Sequence, residues 1–517
     1  MKSKNSFAKA GLVMVFAGIV VKVLSAVYRI PLTRMLGATT MGRYSAIFSI
    51  FMPFFSLATG GVATCIAHFT AQCNDINTMA KIKRQGIQLY AMAAAVLTLL
   101  FVLFGKIYSA VQTDDVFFAG CLVLSPAIIL AAAENVFKGT TQGQMDMLPT
   151  AKAAVLEGMC KTAFGLGAVW LVKTYYPGKK EDMAVLACLA AVTLSGAVCA
   201  LYIGLKSRLK TAQPKDKTKT VTTKQMFKLS GPIAVSALTV SLANFFDTAF
   251  CLPRIDKIPY KAITQSFGGA SFKGAQDITM YLFGIWQGMA VTVFNLVPAI
   301  IVSVGVAGIP FLSKSWLQTD KTLLNRHTNK LFSATSAISV SAMFYIFLFA
   351  GDILQFLFGK STAQTIVAVQ LLRILCLSGV FCCFNSVFNA VLYAAEKSQT
   401  VFKILLLASG LKMAIGYILC GEEKINIKAF AVSTCIFYTI IFVLSLKQTK
   451  KLGVAVNWFK ILVFPLLSAL LSALVVNWLC NTQFYALPLF FRLLFSGSIF
   501  CLIYLLVLIL TGFFVDK

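Results

Sequence analysis

Charge is scarce in this sequence, and acidic residues are scarcest. Across 517 residues there are 18 Asp and Glu against 46 Lys and Arg, so that 12% of the chain is charged and the formal net charge is +28. Soluble domains carry about 25% charged residues. A soluble globule is therefore excluded, and so is a disordered chain, which needs low hydrophobicity. Histidine occurs only as His68 and His327, too far apart in the chain to suggest a zinc site. The 14 cysteines contain no CxxC pair and sit inside apolar stretches, as Cys65, Cys121, Cys188, Cys376 and Cys435 do. That is the habit of buried free thiols, not of a disulfide scaffold. No Ser/His/Asp arrangement stands out. Gly359-Lys360-Ser361 resembles the end of a phosphate-binding loop but lacks the earlier glycine, so no ATPase motor is encoded. The longest outer loop, about 252–277, has only Asp256 and Asp277 as acids. The expectation is a protein that is not an enzyme and uses no metal or cofactor.

What the chain has in excess is apolar length: 58% of its residues are hydrophobic. Runs of about 20 such residues suit membrane spans. They predict spans over 10–33, 44–69, 86–108, 116–137, 149–172, 183–205, 227–251, 278–311, 330–350, 365–394, 399–420, 428–447, 458–480 and 489–514. The first run is too long for a signal-peptide core and is expected to remain as a span. The fold class is therefore an all-α polytopic membrane protein of about 14 transmembrane helices. Basic residues crowd the short loops, which argues for positive-inside orientation and attraction to anionic membrane lipids rather than nucleic acid. Both termini are expected on the cytoplasmic side.

The strongest break in composition is Lys206–Lys228, with eight basic residues and Pro214. It divides the chain into an N-lobe over 1–205, a cytoplasmic linker over 206–228, a C-lobe over 229–449 and a C-terminal span pair over 450–517. At an offset of 251 residues Val136-Phe137 falls on Val387-Phe388, Lys152 on Lys403 and Lys161 on Lys412. Two six-span halves of like orientation around a central path follow from such a repeat.

Ionisable residues within spans are costly and need a reason. Lys22 and Arg29 lie seven apart on one face of span one, with Ser25 between them and no acid before Asp75. That face is expected to line an aqueous cavity, with Arg34 snorkelling to the interface. Glu134 and Lys138 have i,i+4 spacing, as do Glu157 and Lys161, so each couple can pair along its own helix. Asn244 and Asp247 share a face of span seven with no basic residue close by in that span. Asp247, Asn244, Glu134 and Glu157 are thus candidates for an ion site. Lys22, Arg29, Lys161, Arg373, Lys412 and Arg492 would give the interior net positive charge, suited to a phosphate or diphosphate headgroup. Pro53, Pro298 and Gly305, with Gly60-Gly61, Pro126, Gly308 and Pro310, are helix breakers that suit hinges.

Three blocks carry a family resemblance. Tyr28-Arg29-Ile30-Pro31-Leu32-Thr33-Arg34-Met35-Leu36-Gly37, with Gly42 and Tyr44, resembles the first-span signature of the stage V sporulation protein B group of polysaccharide-biosynthesis transporters. Phe137-Lys138-Gly139, Gln142-Gly143, Met147, Pro149-Thr150-Ala151 and Glu157 resemble its segment between spans four and five. Gly288-Met289-Ala290, Thr292, Asn295-Leu296-Val297-Pro298 and Pro310 resemble its span eight. The resemblance implies the MOP superfamily, which includes MATE antiporters and MurJ-type flippases. It implies two six-helix lobes, a C-terminal helix pair, alternating access and a cationic cavity. Lys22, Ser25 and Lys138 stand where related proteins often show Arg, Gly and Arg, and lysine lacks the bidentate fork of arginine.

The resulting expectation is a monomeric flippase of the bacterial cytoplasmic membrane. It would move an undecaprenyl-diphosphate-linked saccharide, with lipid II first, for peptidoglycan, envelope or spore-cortex synthesis. Lys22, Arg29, Lys161 and Lys412 would hold the headgroup, and H+ or Na+ would couple the movement. Alternatives are a MATE-type drug antiporter, another polysaccharide-unit exporter, or a membrane scaffold acting through 206–228.

Overall fold

A computed structural model describes residues 2–73, 75–112, 115–176, 180–207, 222–268, 272, 277–317, 321–359, 362–482 and 487–513. Apolar segments in a bilayer must satisfy their backbone groups internally, and helices do so. Among the described residues, 13 helices are long and apolar enough to cross a membrane. A pair bent by 45° over Ile278–Phe294 and Leu296–Val302 raises the count to as many as 14. The chain is a multi-pass membrane protein. Contacts divide it into two compact units, Met1–Pro253 with Thr279–Gly284, and Arg254–Ile278 with Ile285–Lys517.

The first unit contains α1 (Lys2–Leu36), α2 (Ala38–Thr59), α3 (Val62–Ala71), α4 (Ile76–Gln112), α5 (Asp115–Gly143), α6 (Leu148–Tyr175), α7 (Lys180–Lys206) and α8 (Thr223–Phe246). A π-helical turn, Asp247–Cys251, prolongs α8 into α9 (Leu252–Ile255). The expected second span is two helices in the structure, because Gly61 adopts φ +74 at the break after α2. Helix α8 approaches closely there. A Cβ on Gly60 would stand 2.6 Å from the Cα of Ala234, and one on Gly61 would stand 2.7 Å from the Ser230 carbonyl. Glycine is required for both reasons. Ser56 and Ser241 then share a 2.6 Å hydrogen bond, and the Tyr90 hydroxyl donates to Ser230 Oγ at 3.0 Å. The helix following the basic linker therefore packs with α2, α3 and α4 inside the first unit. A capping box between Thr222 and Gln225 begins it. Of the linker itself, 208–221 lie outside the described residues.

The second unit contains α10 (Tyr260–Ser266) and, after α11 (Ile278–Gly284), which falls in the first unit except for Ile278, the π-helical turn Ile285–Ala290 and α12 (Val291–Phe294). It goes on through α13 (Leu296–Leu317), α14 (Lys321–Leu348), α15 (Ala350–Phe358), α16 (Thr362–Ala394), α17 (Ser398–Cys420) and α18 (Lys428–Lys451). Pro298 explains the break in span eight. It has no N–H for the carbonyl four residues back, at Phe294, where α12 ends. The stretch expected as a long outer loop is held down in this unit. Arg254 lies 4.5 Å over the Tyr417 ring, and Asn426 and Lys428 each donate to Ser266 at 2.7 Å.

A π-helical turn, Phe459–Val463, leads into α19 (Phe464–Thr482), and α20 (Leu489–Leu510) completes the C-terminal pair. Val340, Phe349, Ala473, Phe500, Tyr504 and Leu508 share one buried cluster that fastens the pair to α14. Tyr345 bonds to Ser496 and to the Leu493 carbonyl, both at 2.9 Å. Arg492 pairs with Asp352 at 3.2 Å, so this cation does not contribute uncompensated charge as expected.

Candidate functional site

Within the first unit, helix packing gathers five elements around the intramembrane charges. Small residues on α6 allow α1 to approach. A Cβ on Gly158 would touch Leu24 at 3.2 Å, and one on Gly165 would collide with the Tyr28 ring at 2.6 Å. Close approach through small residues is how membrane helices pack where no hydrophobic effect drives them together. It brings Tyr28 and Arg29 of α1 against Lys161 of α6, whose ammonium lies 5.4 Å from both the Tyr28 and the Phe48 ring centres. Cation–π contacts of this kind hold an ammonium without neutralising it. Arg29 is partly buried and interacts electrostatically with Tyr44 of α2, Tyr28 and Lys161.

One layer further in, Lys138 of α5 forms an i,i+4 ion pair with Glu134, as the spacing predicts. The second expected pair does not form along its helix. Glu157 makes its ion pair across to Lys138 at 3.9 Å, and meets Lys161 only through a longer-range interaction. Glu134 is buried to 4% exposure, and the Cys199 thiol of α7 donates to its Oε1 at 3.1 Å. The Glu157 side chain is 42% exposed. The two carboxylates are therefore unequal: one is sealed and satisfied, the other open and loosely held.

Glu134, Glu157 and Cys199 bring their donor atoms within 4.8 Å of one another, a spacing that a metal ion could use. The ammonium of Lys138 already supplies the positive charge between the carboxylates. Among the described residues, two carboxylates, Glu134 and Glu157, are thus gathered with Lys138 and Lys161, and Arg29 adds a further cation beside Lys161. Chemically, such a site can receive an anion at its Lys161–Arg29 side.

Other expected site residues lie elsewhere. Lys22 is exposed and makes no ion pair among the described residues, and Ser25 returns its hydroxyl to the Val21 carbonyl at 2.8 Å. Lys412 is buried on α17 in the second unit, on the same helix as buried Ser409 and Gly416. It repeats there the placement of Lys161 above Gly165 on α6. Asn244 is exposed while Asp247 is buried, so the two do not share an environment. Asp247 opens the π-helical turn and is engaged there, not unpaired as its own span suggested. Pro53 is buried within an uninterrupted α2, and Gly305 seats α13 on Ser386 of α16, where a Cβ would stand 2.8 Å from a carbonyl. Arg373 donates to the Phe347 carbonyl at 3.2 Å.

Tyr44, Phe48 and Cys199 were not legible as site residues. Tyr44 belongs to the first family block and gave a signal by that route alone. Cys199 gave none, since its partner Glu134 is 65 residues away on another helix.

A bundle of spans with charged residues gathered inside it defines a polytopic helical membrane protein. The chain belongs to the polysaccharide biosynthesis protein family, whose model matches residues 7–316; a MatE model matches 287–418. It is 21% identical over 438 residues to stage V sporulation protein B of Bacillus subtilis (strain 168), covering 83% of this chain and 81% of that one. It is 23% identical over 375 residues to the lipid II flippase MurJ of the same organism, covering 68% and 66%. In fold it is similar to a lipid II flippase MurJ in an inward closed conformation, with a TM-score of 0.69, 15% identity and 98% of each chain covered. It is also similar to an inward-facing multidrug resistance MATE family transporter, with a TM-score of 0.65, 15% identity and 86% of this chain and 99% of that one covered. Membership of the MOP superfamily and its flippase group follows, with an all-α MurJ/MATE-like fold.

Proposed function

We propose that this protein is a flippase that carries an undecaprenyl-diphosphate-linked saccharide, lipid II first among them, from the inner to the outer leaflet by alternating access. The observation that carries this reading is the pairing of two cations, Arg29 and Lys161, the latter held by the faces of Tyr28 and Phe48 beside a carboxylate pair that Lys138 occupies. Anionic headgroups are matched by lysine and arginine donors in a low-dielectric interior. The kinship with flippases and sporulation proteins supports the same substrate class. On this reading the protein works without enzymatic chemistry. Its termini face the cytoplasm, and 206–228 lies along anionic headgroups. Lys22 and Lys412 contribute to the headgroup path, Pro53, Pro298 and Gly305 serve as hinges, and Asp247, Asn244, Glu134 and Glu157 are the ion-coupling candidates.

The test is outer-leaflet exposure of lipid II in cells that depend on this protein. Wild-type chain restores exposure, whereas Arg29→Ala with Lys161→Ala lowers it at least tenfold. Unchanged exposure in that double variant overturns the site assignment. Restoration of dye resistance instead of lipid exposure would favour the MATE-type antiporter, whose cavity needs carboxylates free of lysine.

A further inference from the structure

The inequality of the two carboxylates has a consequence for coupling. Glu134 is enclosed, paired with Lys138 and bonded by the Cys199 thiol, so its charge is spoken for. Glu157 has one ion pair at 3.9 Å, is 42% exposed, and stands one helical turn from Lys161. Among the described residues, the charged or titratable groups that face it belong to the same gathering: Glu134 and Lys138 on α5, Cys199 on α7, Lys161 on its own helix, and Arg29 on α1 beyond Lys161. Glu157 is also the carboxylate that interacts with Lys161, at longer range.

From this geometry we infer that Glu157 is a proton-coupling residue, taking up a proton from solvent when a diphosphate head occupies Lys161 and Arg29. This inference rests on the headgroup site proposed above. The physical reason is that a diphosphate bound at Lys161 brings a second anion within range of Glu157, which already interacts with Lys161 at longer range. Two anions then face each other in a medium of low dielectric constant, where the nearby pair cannot both remain charged cheaply. Glu134 cannot relieve this repulsion, because its proton acceptance would strand Lys138 without its closest partner. Glu157 can, because its side chain is 42% exposed and its only ion pair among the described residues is the long one to Lys138. The step is a simple transfer: one proton moves from solvent to a Glu157 carboxylate oxygen on loading and returns on release. Loading is thereby favoured by acid and weakened by alkali, and the loaded carrier takes one negative charge fewer across the membrane.

The experiment is isothermal titration of the purified full-length protein in nanodiscs with farnesyl diphosphate. It is run at one pH in buffers of different ionisation enthalpy, so that proton uptake is counted directly. Wild type should take up about one proton per diphosphate beyond the ligand's own titration, with affinity falling up to about tenfold per pH unit. Glu157→Gln should bind with the extra uptake gone, more tightly at high pH, and so correct for the ligand. Binding by wild type with no extra proton, or full uptake in Glu157→Gln, overturns the inference while leaving the headgroup site intact. No binding by well-folded wild type overturns both. The wild-type proton count is decisive even if the glutamine variant fails to fold.

Discussion

Lys138 of α5 bridges to Glu157 of α6 at 3.9 Å while holding Glu134 on its own helix, so a single ammonium ties two spans together at the level of the charged site. The pair Glu134–Lys138 is an internal matter of α5, but the bridge to Glu157 exists only because α5, α6 and α7 pack against one another.

Removing the bridging lysine should therefore be costly for stability. Lys138→Ala leaves Glu134 buried without its ammonium, a change worth roughly 3–5 kcal/mol where a buried pair is broken. Thermal unfolding in detergent should show a large fall in Tm. Adding Glu134→Gln should recover most of that fall, and a double variant as unstable as the single would contradict the account.

At the break between α2 and α3, Gly61→Ala should destabilise the first unit by about 1–3 kcal/mol. The φ of +74 and a Cβ 2.7 Å from the Ser230 carbonyl both oppose a side chain. Gly167→Ala, where a Cβ meets nothing within 4 Å, is the matched control and should leave Tm unchanged.

For the C-terminal pair, Tyr345→Phe removes the hydroxyl that bonds Ser496 and the Leu493 carbonyl. A loss of about 1–2 kcal/mol is expected. Limited proteolysis should cut the chain ahead of α19 faster in the variant than in wild type.

Transport should separate the cations that share a cluster from the one that does not. Lys161→Ala is expected to lower outer-leaflet lipid II at least tenfold, and Lys22→Ala less than threefold. Lys22 is exposed and lies outside the gathering of Arg29, Glu157 and Lys161. Equal losses in the two variants would place Lys22 in the headgroup site itself rather than along the path to it.

Much of the fold was legible because the bilayer sets one requirement, about 20 apolar residues per span, that sequence must meet locally. The expected span over 489–514 is helix Leu489–Leu510, and that over 399–420 is Ser398–Cys420. Span eight was legible as a length but not as a bend; Pro298 marked where the helix is interrupted, and only coordinates gave its angle.

The charged site was legible as a set of residues and not as a set of partners. Helical spacing couples Glu157 to Lys161, and in the structure Glu157 pairs with Lys138 instead. Lys22 and Arg29 share a face by periodicity, but they differ in exposure because that face is covered at one end and open at the other.

Composition and periodicity by themselves determined that this chain crosses a membrane many times as helices, and which costly ionic groups it takes inside. Tertiary packing decided which charges cancel, which carboxylate is sealed and which stays exposed. Span formation depends on contiguous residues meeting lipid, whereas charge pairing depends on distances between helices that no local pattern encodes.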